Sequence, residues 1–303
     1  MEQNGVLIIN KPKGITSHTV ISKLRRAYNM KKIGHTGTLD PMVDGVMVVC
    51  FGRATKLSQY LLDNDKIYRV SLILGLHTDT EDMTGEITYS QEITEELYQN
   101  IEKQLPHVLE TFLGEYQQTP PMYSAVKIAG KKLYQYARAG EIIERTARQI
   151  KIHELDYDIN NLSYDHENIQ AHFSFDVHGS KGLFVRTLCK DIGKKLQIPA
   201  TMNTLTRTAS GQFTLDKAIP LEQILEEKPP LISLAELELP LPSVLVEDEV
   251  ATKLRVGYKL PHYFIKEKLQ TKFVVREKST NQIIGVYEQS EKYPDKYQSV
   301  CVL

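Results

Sequence analysis

One stretch of the chain combines a glycine-containing loop, a single carboxylate and an apolar strand. Residues 34–41 read GHTGTLDP, and residues 46–51 read VMVVCF. Pro41 disfavours helical backbone angles at Asp40, so the carboxylate lies on an extended or turned backbone. The β-branched run that follows is typical of a buried strand. The sequence therefore predicts a rigid core strand that supports a loop presenting one acid, a common arrangement for a reactive centre.

The Asp40–Pro41 pair also has an ordinary structural interpretation. Asp before Pro is common in turns, where the carboxylate accepts hydrogen bonds from nearby backbone N–H groups. The dipeptide alone therefore does not separate a catalytic loop from a simple turn, and the choice depends on the longer string.

The chain lacks the sequence signatures of membrane proteins, metalloproteins and nucleotide-dependent enzymes. No apolar run is long enough to cross a bilayer, and the first residues lack the basic start of a signal peptide, so we expect a cytoplasmic protein. The three cysteines are scattered, and neither a CxxC pair nor a phosphate-binding glycine loop occurs. His172 and His178 share one face of a predicted strand without a further ligand at suitable spacing. We therefore expect no metal and no cofactor.

The net charge of −1 conceals an uneven distribution of charged residues. Residues 1–60 contain nine Lys and Arg against three Asp and Glu, residues 121–151 contain seven against two, and residues 63–115 contain three against twelve. Basic blocks balanced by an acidic segment fit a protein with one cationic face for a polyanion. They also fit solvated helix faces, and charge alone does not choose between the two.

Local patterns predict helices and strands along the first part of the chain. Ser17 is a suitable N-cap for a helix with apolar residues at helical spacing. A helix that begins at Thr94 is expected to end at Pro106, and residues 114–121 indicate a connector. The acidic turn at residues 79–85 lacks the calcium-loop pattern, which favours a solvated loop.

Two side chains are distinctive on their predicted elements. Residues 67–75 alternate as a strand, which places Tyr68 on the same face as Val70 and Leu72; an ordinary core tyrosine is the alternative. Arg186 begins a helix after a glycine-containing loop. A buried guanidinium at that position would need a carboxylate partner, and Asp40 is the expected one, whereas a surface arginine would need none.

Four strings of the chain resemble the motifs of the TruB family of tRNA pseudouridine synthases. They are residues 11–14 (KPKG), 34–56 around Asp40, 121–134 and 179–188 (GSKGLFVRTL), and the resemblance extends over residues 5–217. It implies the pseudouridine synthase fold, an α+β architecture with a central mixed or antiparallel sheet flanked by helices. It also implies the isomerisation of a uridine in the T loop of tRNA, conventionally position 55.

The resemblance implies roles for individual residues. Asp40 would be the catalytic nucleophile, Arg186 would pair with it, and Tyr68 would stack on the target uracil and is a candidate for the group that removes the proton from the base. Phe184 departs from the family pattern, since many members have tyrosine there; stacking survives this change, but a role for a hydroxyl group does not. Leu205 would line the uracil pocket.

Further residues are implied to contact the RNA. His35 would fill the space that the flipped nucleotide leaves, and Lys11, in a basic turn that supports the catalytic loop, is also expected to contribute to substrate binding. Tyr123 and Lys127 lie in an insertion near residues 117–147 that grips the T arm of tRNA in the family. Basic residues interleaved with tyrosines suit phosphates and unstacked bases; a strand and helix whose tyrosines are core is the alternative.

Prolines at residues 229–242 predict a domain boundary. We expect a catalytic domain over residues 1–238 and a small β-rich RNA-binding domain over residues 239–303. The second resembles the PUA or PUA-like domain that ends many members of the family. Its residues 253–303 are basic and rich in tyrosine.

Three functions remain open at this stage. The resemblance favours a monomeric tRNA pseudouridine synthase that acts on the T arm after base flipping, without a cofactor or a membrane. An RNA-binding chaperone of tRNA folding, with catalysis secondary, would use the same basic faces. A glycosidase-like hydrolase that uses Asp40 would instead release free uracil.

Overall fold

The structure is a computed structural model that describes residues 3–62, 64–265, 269 and 271–303. In that part of the chain the strands are, in order, β1 (Gly5–Lys11), β2 (Ile33–His35), β3 (Asp44–Phe51), β4 (Lys66–Leu74), β5 (Leu76–Thr78), β6 (Ile87–Ser90), β7 (Gly114–Gln118), β8 (Lys127–Ile128), β9 (Lys131–Lys132), β10 (Arg148–Asp156), β11 (Ser163–Asp165), β12 (Gln170–Gly179), β13 (Ala200–Ser210), β14 (Phe213–Thr214), β15 (Ile219–Pro220), β16 (Ser243–Val246), β17 (Leu260–Pro261), β18 (Phe273–Glu277), β19 (Ile283–Gln289) and β20 (Lys296–Val302). The α-helices are α1 (Ser17–Ala27), α2 (Ser58–Leu62), α3 (Glu95–Glu110), α4 (Leu133–Arg138), α5 (Val185–Leu196), α6 (Leu221–Glu227) and α7 (Asp248–Arg255).

The chain forms two compact units. The first contains residues 1–41, 46–64 and 213–303, and the second contains residues 42–45 and 65–212. In the first unit, β1 pairs in parallel with β15 and lies beside β3, which pairs antiparallel with β2. Strands β1 and β3 are buried along most of their length, as their continuous apolar sequences predict.

The first unit also contains a second, five-stranded sheet in the order β16–β18–β19–β20–β17. β16 pairs in parallel with β18, and the other neighbours are antiparallel. Helix α7 contacts β18 and β19 of this sheet. A small β-rich module at the end of the chain is therefore confirmed. The domain boundary at residue 239 stays a prediction, since residues 213–303 belong to one unit with the N-terminal strands.

The second unit is an antiparallel sheet with helices on it. Its five main strands follow the order β13–β4–β12–β10–β7, and each neighbouring pair is antiparallel. Helix α5 packs on β13 and β4, and α3 packs on α5. Residues of β12 alternate between buried and half-buried, so one face of the sheet forms the core. Together the two units confirm the predicted α+β class with mixed and antiparallel sheets and flanking helices.

Three local predictions are wrong for identifiable reasons. The N-cap of α1 is Thr16, whose Oγ1 accepts the Thr19 N–H at 3.0 Å, and Ser17 is instead a buried first helical residue. Helix α3 continues through Pro106 to Glu110 because its last turns still place apolar side chains in the core. The expected connector at residues 114–121 contains β7, which is stabilised by pairing with the distant β10.

None of the described helices combines the length and apolar character needed to span a bilayer.

Candidate active site

The loop that carries Asp40 is held on both sides of the carboxylate. Leu39 is buried, and both of its backbone polar groups bind Ser17 Oγ: the Leu39 N–H donates to it at 2.9 Å, and the hydroxyl donates to the Leu39 carbonyl at 3.0 Å. On the other side, the carbonyl of Pro41 accepts the Gly14 N–H at 2.9 Å. Asp40 itself is half-buried. The backbone on each side of this carboxylate is therefore fixed by hydrogen bonds from the first helix and the turn before it.

Lys11 completes this support from a fully buried position, with an exposed fraction of 0%. Its Nζ donates to the carbonyls of Pro12 at 2.8 Å, Ile15 at 2.8 Å and Pro41 at 3.2 Å. A buried ammonium needs such acceptors, because an unpaired charge is costly away from water. This geometry accounts for Lys11 as a support of the Asp40 loop, and its expected direct contact with substrate stays a prediction.

His35 lies on the same loop, at the end of β2. It is half-buried, and its Nδ1 accepts the N–H of Gly37 at 3.3 Å. Gly37 has φ +149°, a backbone angle that favours glycine. The pair of β2 with β3 places His35 opposite Val49, so the core strand predicted to support the loop does border it. The proposed role of His35 in filling a vacated nucleotide position stays a prediction.

In the second unit, Arg186 is buried, with 7% of its surface exposed. Its Nη1 donates to the Thr80 carbonyl at 2.9 Å and its Nη2 donates to the Tyr123 carbonyl at 2.8 Å. The same Nη1 lies 3.6 Å from Asp82 Oδ2. The sequence prediction that a buried Arg186 needs a carboxylate is therefore met within this unit by Asp82, whereas the expected pairing with Asp40 stays a prediction.

The acidic turn at residues 79–85 is only partly the solvated loop that its composition indicates, since Asp79, Met83 and Thr84 are exposed but Glu81 is buried. Glu81 has only 6% of its surface exposed and adopts φ +63°. Its carboxylate accepts the Thr187 hydroxyl at 2.7 Å and pairs with the Lys190 ammonium. Thr187 and Lys190 lie on α5, directly after Arg186, so the turn packs on the start of that helix. Sequence reasoning missed this contact. The available signal was a pair of cations, Arg186 and Lys190, four residues apart on one helix.

Tyr68 and Leu205 share one face of the antiparallel sheet. Tyr68 on β4 lies opposite Arg207 on β13, and Val70 lies opposite Leu205, so the two side chains are diagonal neighbours. Tyr68 is half-buried, whereas Leu205 is buried. The predicted alternation of β4, with Tyr68 on the face of the buried Val70, is confirmed. Their expected contacts with uracil stay predictions.

Phe184 precedes α5 and is fixed through its backbone. The side-chain amide of Gln118 accepts the Phe184 N–H at 2.8 Å and donates to the Phe184 carbonyl at 3.0 Å. Gln118 is buried at the end of β7, within the stretch that was expected to be a connector. The half-buried Phe184 side chain is therefore presented from a rigid backbone, and sequence reasoning gave no role to the glutamine that holds it.

The insertion places Tyr123 and Lys127 differently. Tyr123 is half-buried, its hydroxyl donates to Asp79 Oδ2 at 3.2 Å, and burial together with this carboxylate raises the pKa of Tyr123. Lys127 is exposed on the β8–β9 hairpin. Cations lie over nearby tyrosine rings, at 5.5 Å for Lys131 and Tyr136, 5.7 Å for Lys132 and Tyr134, and 5.4 Å for Arg138 and Tyr134. The predicted mixture of basic and aromatic side chains therefore exists in three dimensions.

The C-terminal module has a second surface of this kind. A cavity of about 480 Å³ is lined by lysines and aromatic rings: Lys253, Tyr258, Lys259, Tyr263, Phe264, Tyr293 and Lys296. Lys259 Nζ lies 3.4 Å from the centroid of the Tyr293 ring, and Tyr263 is largely exposed. Such a surface suits phosphates and unstacked bases, and the RNA-binding role of this module stays a prediction.

The structure thus groups the predicted residues into two sets. Asp40, His35 and Lys11 belong to the loop region of the first unit. The second unit brings Arg186 into contact with Tyr123 and places Tyr68 beside Leu205 on one sheet face. Among the described residues, one group of three could hold a metal ion, and it includes none of the predicted site residues.

Two protein-family models match the chain in succession. Residues 25–185 match the model described as "TruB family pseudouridylate synthase (N terminal domain)". Residues 186–241 match the model described as "tRNA pseudouridylate synthase B C-terminal domain".

Similar proteins share most of the chain. The "tRNA pseudouridine synthase B" of Bacillus cytotoxicus is 40% identical over 307 residues, which cover 99% of this chain and 97% of that protein. The protein of the same name from Bacillus licheniformis is 44% identical over 262 residues, or 84% and 82% of the two chains. A solved structure described as "Crystal Structure of a Cbf5-Nop10-Gar1 Complex" contains a chain with TM-score 0.68 and 25% identity, covering 99% of this chain and 84% of that one.

Proposed function

The chain belongs to the TruB family of pseudouridylate synthases, and from this premise we propose that it isomerises the T-loop uridine of tRNA, at conventional position 55, to pseudouridine. The reaction breaks the bond from uracil N1 to the ribose C1′, turns the base, and joins C5 to C1′; C5 loses its proton and N1 gains one. Atoms and electrons balance within the one nucleotide, so the reaction itself consumes no co-reactant.

Asp40 is the proposed nucleophile, and the double support of its loop is the observation that carries this role. A nucleophile contributes most when it is held in position before the substrate arrives. Ser17 fixes the backbone of Leu39, and Lys11 with Gly14 fixes the carbonyl of Pro41. An ordinary surface turn needs no such support, whereas Ser17, Lys11 and Gly14 all bind the backbone next to Asp40.

Arg186 is the proposed partner of the Asp40 carboxylate. A nearby positive charge favours the ionised form of a carboxyl group and orients it. A guanidinium has five N–H donors in a planar fork, so it can bind Thr80, Tyr123 and Asp82 and still meet a second carboxylate. Because Arg186 is buried, little bulk water would surround its proposed ion pair with Asp40, and the attraction between the two charges would be stronger.

Tyr68, Phe184, Leu205 and His35 are proposed to handle the extruded nucleotide. Flipping a base out of its stack costs a few kcal/mol. Stacking on aromatic side chains returns about 1–3 kcal/mol per base, so Tyr68 and Phe184 together would offset that cost. Leu205 would close the apolar side of the uracil pocket, and His35 would occupy the vacated space in the RNA.

The basic surfaces are proposed to bind the T arm of a tRNA as a monomeric protein. Lys127 and the cation–tyrosine pairs of the insertion would contact the phosphates and unpaired bases of the loop. The lysine- and tyrosine-lined cavity of the proposed RNA-binding domain, residues 239–303, would extend this contact.

The decisive experiment compares the unmodified protein with Asp40→Asn on a tRNA transcript. We expect Asp40→Asn to bind the transcript normally and to form pseudouridine more than about 1,000-fold more slowly, because the nucleophile is lost. Pseudouridine is measured by chemical labelling of the transcript, and Asp216→Asn, at an exposed carboxylate, is the matched control.

The other outcomes separate the alternatives. Retained turnover in Asp40→Asn would remove this residue from the reaction. Release of free uracil by the unmodified protein would indicate a hydrolase, and faster tRNA folding with no pseudouridine from either protein would indicate a chaperone.

A further inference from the structure

Three side chains that suit a metal ion converge in the second unit, apart from the predicted site residues. Asp65, His153 and His178 each offer one ligand atom, and these atoms all lie within 4.8 Å of one another. The Nε2 atoms of His153 and His178 lie 3.1 Å and 3.9 Å from Asp65 Oδ2, and the two ring centroids are 4.8 Å apart. Both imidazoles therefore face the same carboxylate oxygen.

Three adjacent strands bring these residues together. Asp65 directly precedes β4, His178 lies on β12, and His153 lies on β10. The register between β10 and β12 shifts between Ile152 and Glu154, so His153 is the extra residue of a β-bulge. Bulges redirect side chains, and this one places His153 against His178 instead of on the alternating pattern of a regular strand.

The group is both held in place and accessible. The carbonyl of Asp65 accepts the Gly211 N–H at 2.9 Å, which fixes the backbone of the residue before β4. The side chains of Asp65, His153 and His178 are 45%, 29% and 35% exposed. An ion in solution could therefore reach the ligand atoms without a rearrangement of the sheet.

We propose that Asp65, His153 and His178 form a binding site for a divalent transition-metal ion such as Zn²⁺. Two imidazole nitrogens and one carboxylate oxygen favour Zn²⁺, Ni²⁺ or Cu²⁺ over Mg²⁺ and Ca²⁺, which prefer oxygen ligands. Zinc–ligand bonds of about 2.0–2.2 Å in tetrahedral geometry require ligand atoms about 3.3 Å apart. The two histidine–carboxylate distances, 3.1 Å and 3.9 Å, lie on either side of that spacing, and water would supply the fourth ligand.

The site is independent of the proposed isomerisation, because none of its residues takes part in it. The ion would instead join β4, β12 and β10. Since a bound ion stabilises only the folded state, Zn²⁺ should raise the unfolding temperature of the protein.

Isothermal titration of the EDTA-treated full chain, prepared without a polyhistidine tag, with ZnCl₂ tests the proposal. We expect one Zn²⁺ per chain and a higher unfolding temperature in its presence. His153→Ala and His178→Ala should each weaken binding by more than about 100-fold, since loss of a direct ligand exceeds the 10- to 100-fold effect of outer-shell changes.

His172→Ala is the matched control. His172 also lies on β12 and faces one carboxylate, with Nε2 3.6 Å from Asp165 Oδ2, but it belongs to no three-ligand group in the described chain. We expect it to bind Zn²⁺ like the unmodified protein. Absence of binding to the unmodified protein overturns the proposal, as does equal affinity in all variants. Unfolding curves in EDTA establish that each variant is folded.

Discussion

Arg186 connects three segments that are distant in sequence. Its guanidinium binds a carbonyl of the acidic turn, a carbonyl of the insertion and the Asp82 carboxylate, while the residue itself lies in the first turn of α5. Burial of such a charge costs several kcal/mol unless hydrogen bonds and an opposite charge compensate. The position of Arg186 therefore depends on Asp82, a residue that sequence reasoning assigned to a solvated loop.

We expect Asp82→Asn to slow pseudouridine formation by about 100-fold, because a displacement of about 1 Å in a positioned group has an effect of this size. The substitution preserves shape but removes the charge beside Arg186, so the guanidinium is oriented less well. Single-turnover assays with saturating enzyme and a tRNA transcript measure this effect separately from tRNA binding.

Asp176→Asn provides the control for a carboxylate paired with arginine. Asp176 Oδ1 lies 3.1 Å from Nε of Arg69, whose side chain is 69% exposed. Exposed pairs contribute at most about 1 kcal/mol, so this variant should retain its rate. An equal loss in both variants would show that the effect of Asp82 is not specific to Arg186.

Ser17→Ala should destabilise the protein by about 1–3 kcal/mol and slow the reaction. The substitution leaves the buried N–H and carbonyl of Leu39 without their hydroxyl partner, next to Asp40. Urea unfolding and the single-turnover rate measure the two effects. Ser22→Ala on the same helix is the control, since its hydroxyl bonds only the exposed His18 carbonyl. Identical behaviour of the two serine variants would contradict the proposed support of the loop.

At the scale of elements, Gly45 of β3 packs closely against the backbone of β13. Gly45 pairs in parallel register with Arg207 and adopts φ +106°. A Cβ atom there would lie 2.2 Å from the Arg207 carbonyl oxygen. Because that oxygen belongs to the backbone of a buried strand, it cannot move aside as a flexible side chain would.

We expect Gly45→Ala to destabilise the protein by about 2–5 kcal/mol, the sum of a strained backbone angle and an overpacked contact. Gly114→Ala is the control, because Gly114 also has a positive φ of +84°, but a Cβ atom at that position would meet no heavy atom within 4 Å. That variant should lose only about 1–2 kcal/mol. Urea unfolding of both proteins measures the difference, and equal losses would exclude close packing as its cause.

Elements with strong local patterns were predicted better than those formed by distant pairing. The alternating sequence of β4 predicted that strand, and the continuous apolar run of β3 predicted a strand buried on both faces. The strand β7 was missed, since its stability comes from β10 and not from its own residues. The cap of α1 was displaced by one residue because Thr16 and Ser17 are both good caps.

At the scale of the whole molecule, the described residues of the first unit form two separate cores. One joins side chains of β1 and β3 to side chains near the end of the chain: Val6, Ile8, Val46, Val48, Val274, Ile283, Val286 and Leu303. The other lies within the C-terminal module and includes Leu254, Phe273, Ile284 and Tyr297. The final strands therefore share a core with β1 and β3.

Ile283→Ala should destabilise the protein by about 2–5 kcal/mol and accelerate hydrogen exchange of the β1 amides. Ile283 is only 3% exposed and shares its core with Val6 and Ile8 of β1. Hydrogen exchange measured by mass spectrometry follows β1 directly in the intact chain.

Ile284→Ala is a closely matched control. Ile284 is the next residue, is 1% exposed and packs in the other core. It should destabilise the C-terminal module without the same acceleration at β1. If β1 exchanges equally fast in both variants, the two cores do not unfold separately.

The sequence by itself determined the α+β class, the Asp40 loop with its supporting strand, the alternation of β4 and the membership of the family. The class, the loop and the strands depend on the backbone preferences and hydrophobic periodicity of neighbouring residues. The family membership depends on short sequence motifs. The pairing of Asp40 with Arg186 and the boundary at residue 239 stay predictions.

Only the tertiary structure decided which side chains hold the site residues in place. Ser17 reaches Leu39, Gln118 reaches Phe184, Glu81 reaches Thr187, and a bulge brings His153 to His178. The residues of each pair are far apart in sequence. A buried polar group can form a hydrogen bond with any suitable partner that the fold brings near, so its own sequence does not specify which one. Periodicity reports which face of an element is buried, but it carries no information about which distant residue that face will meet.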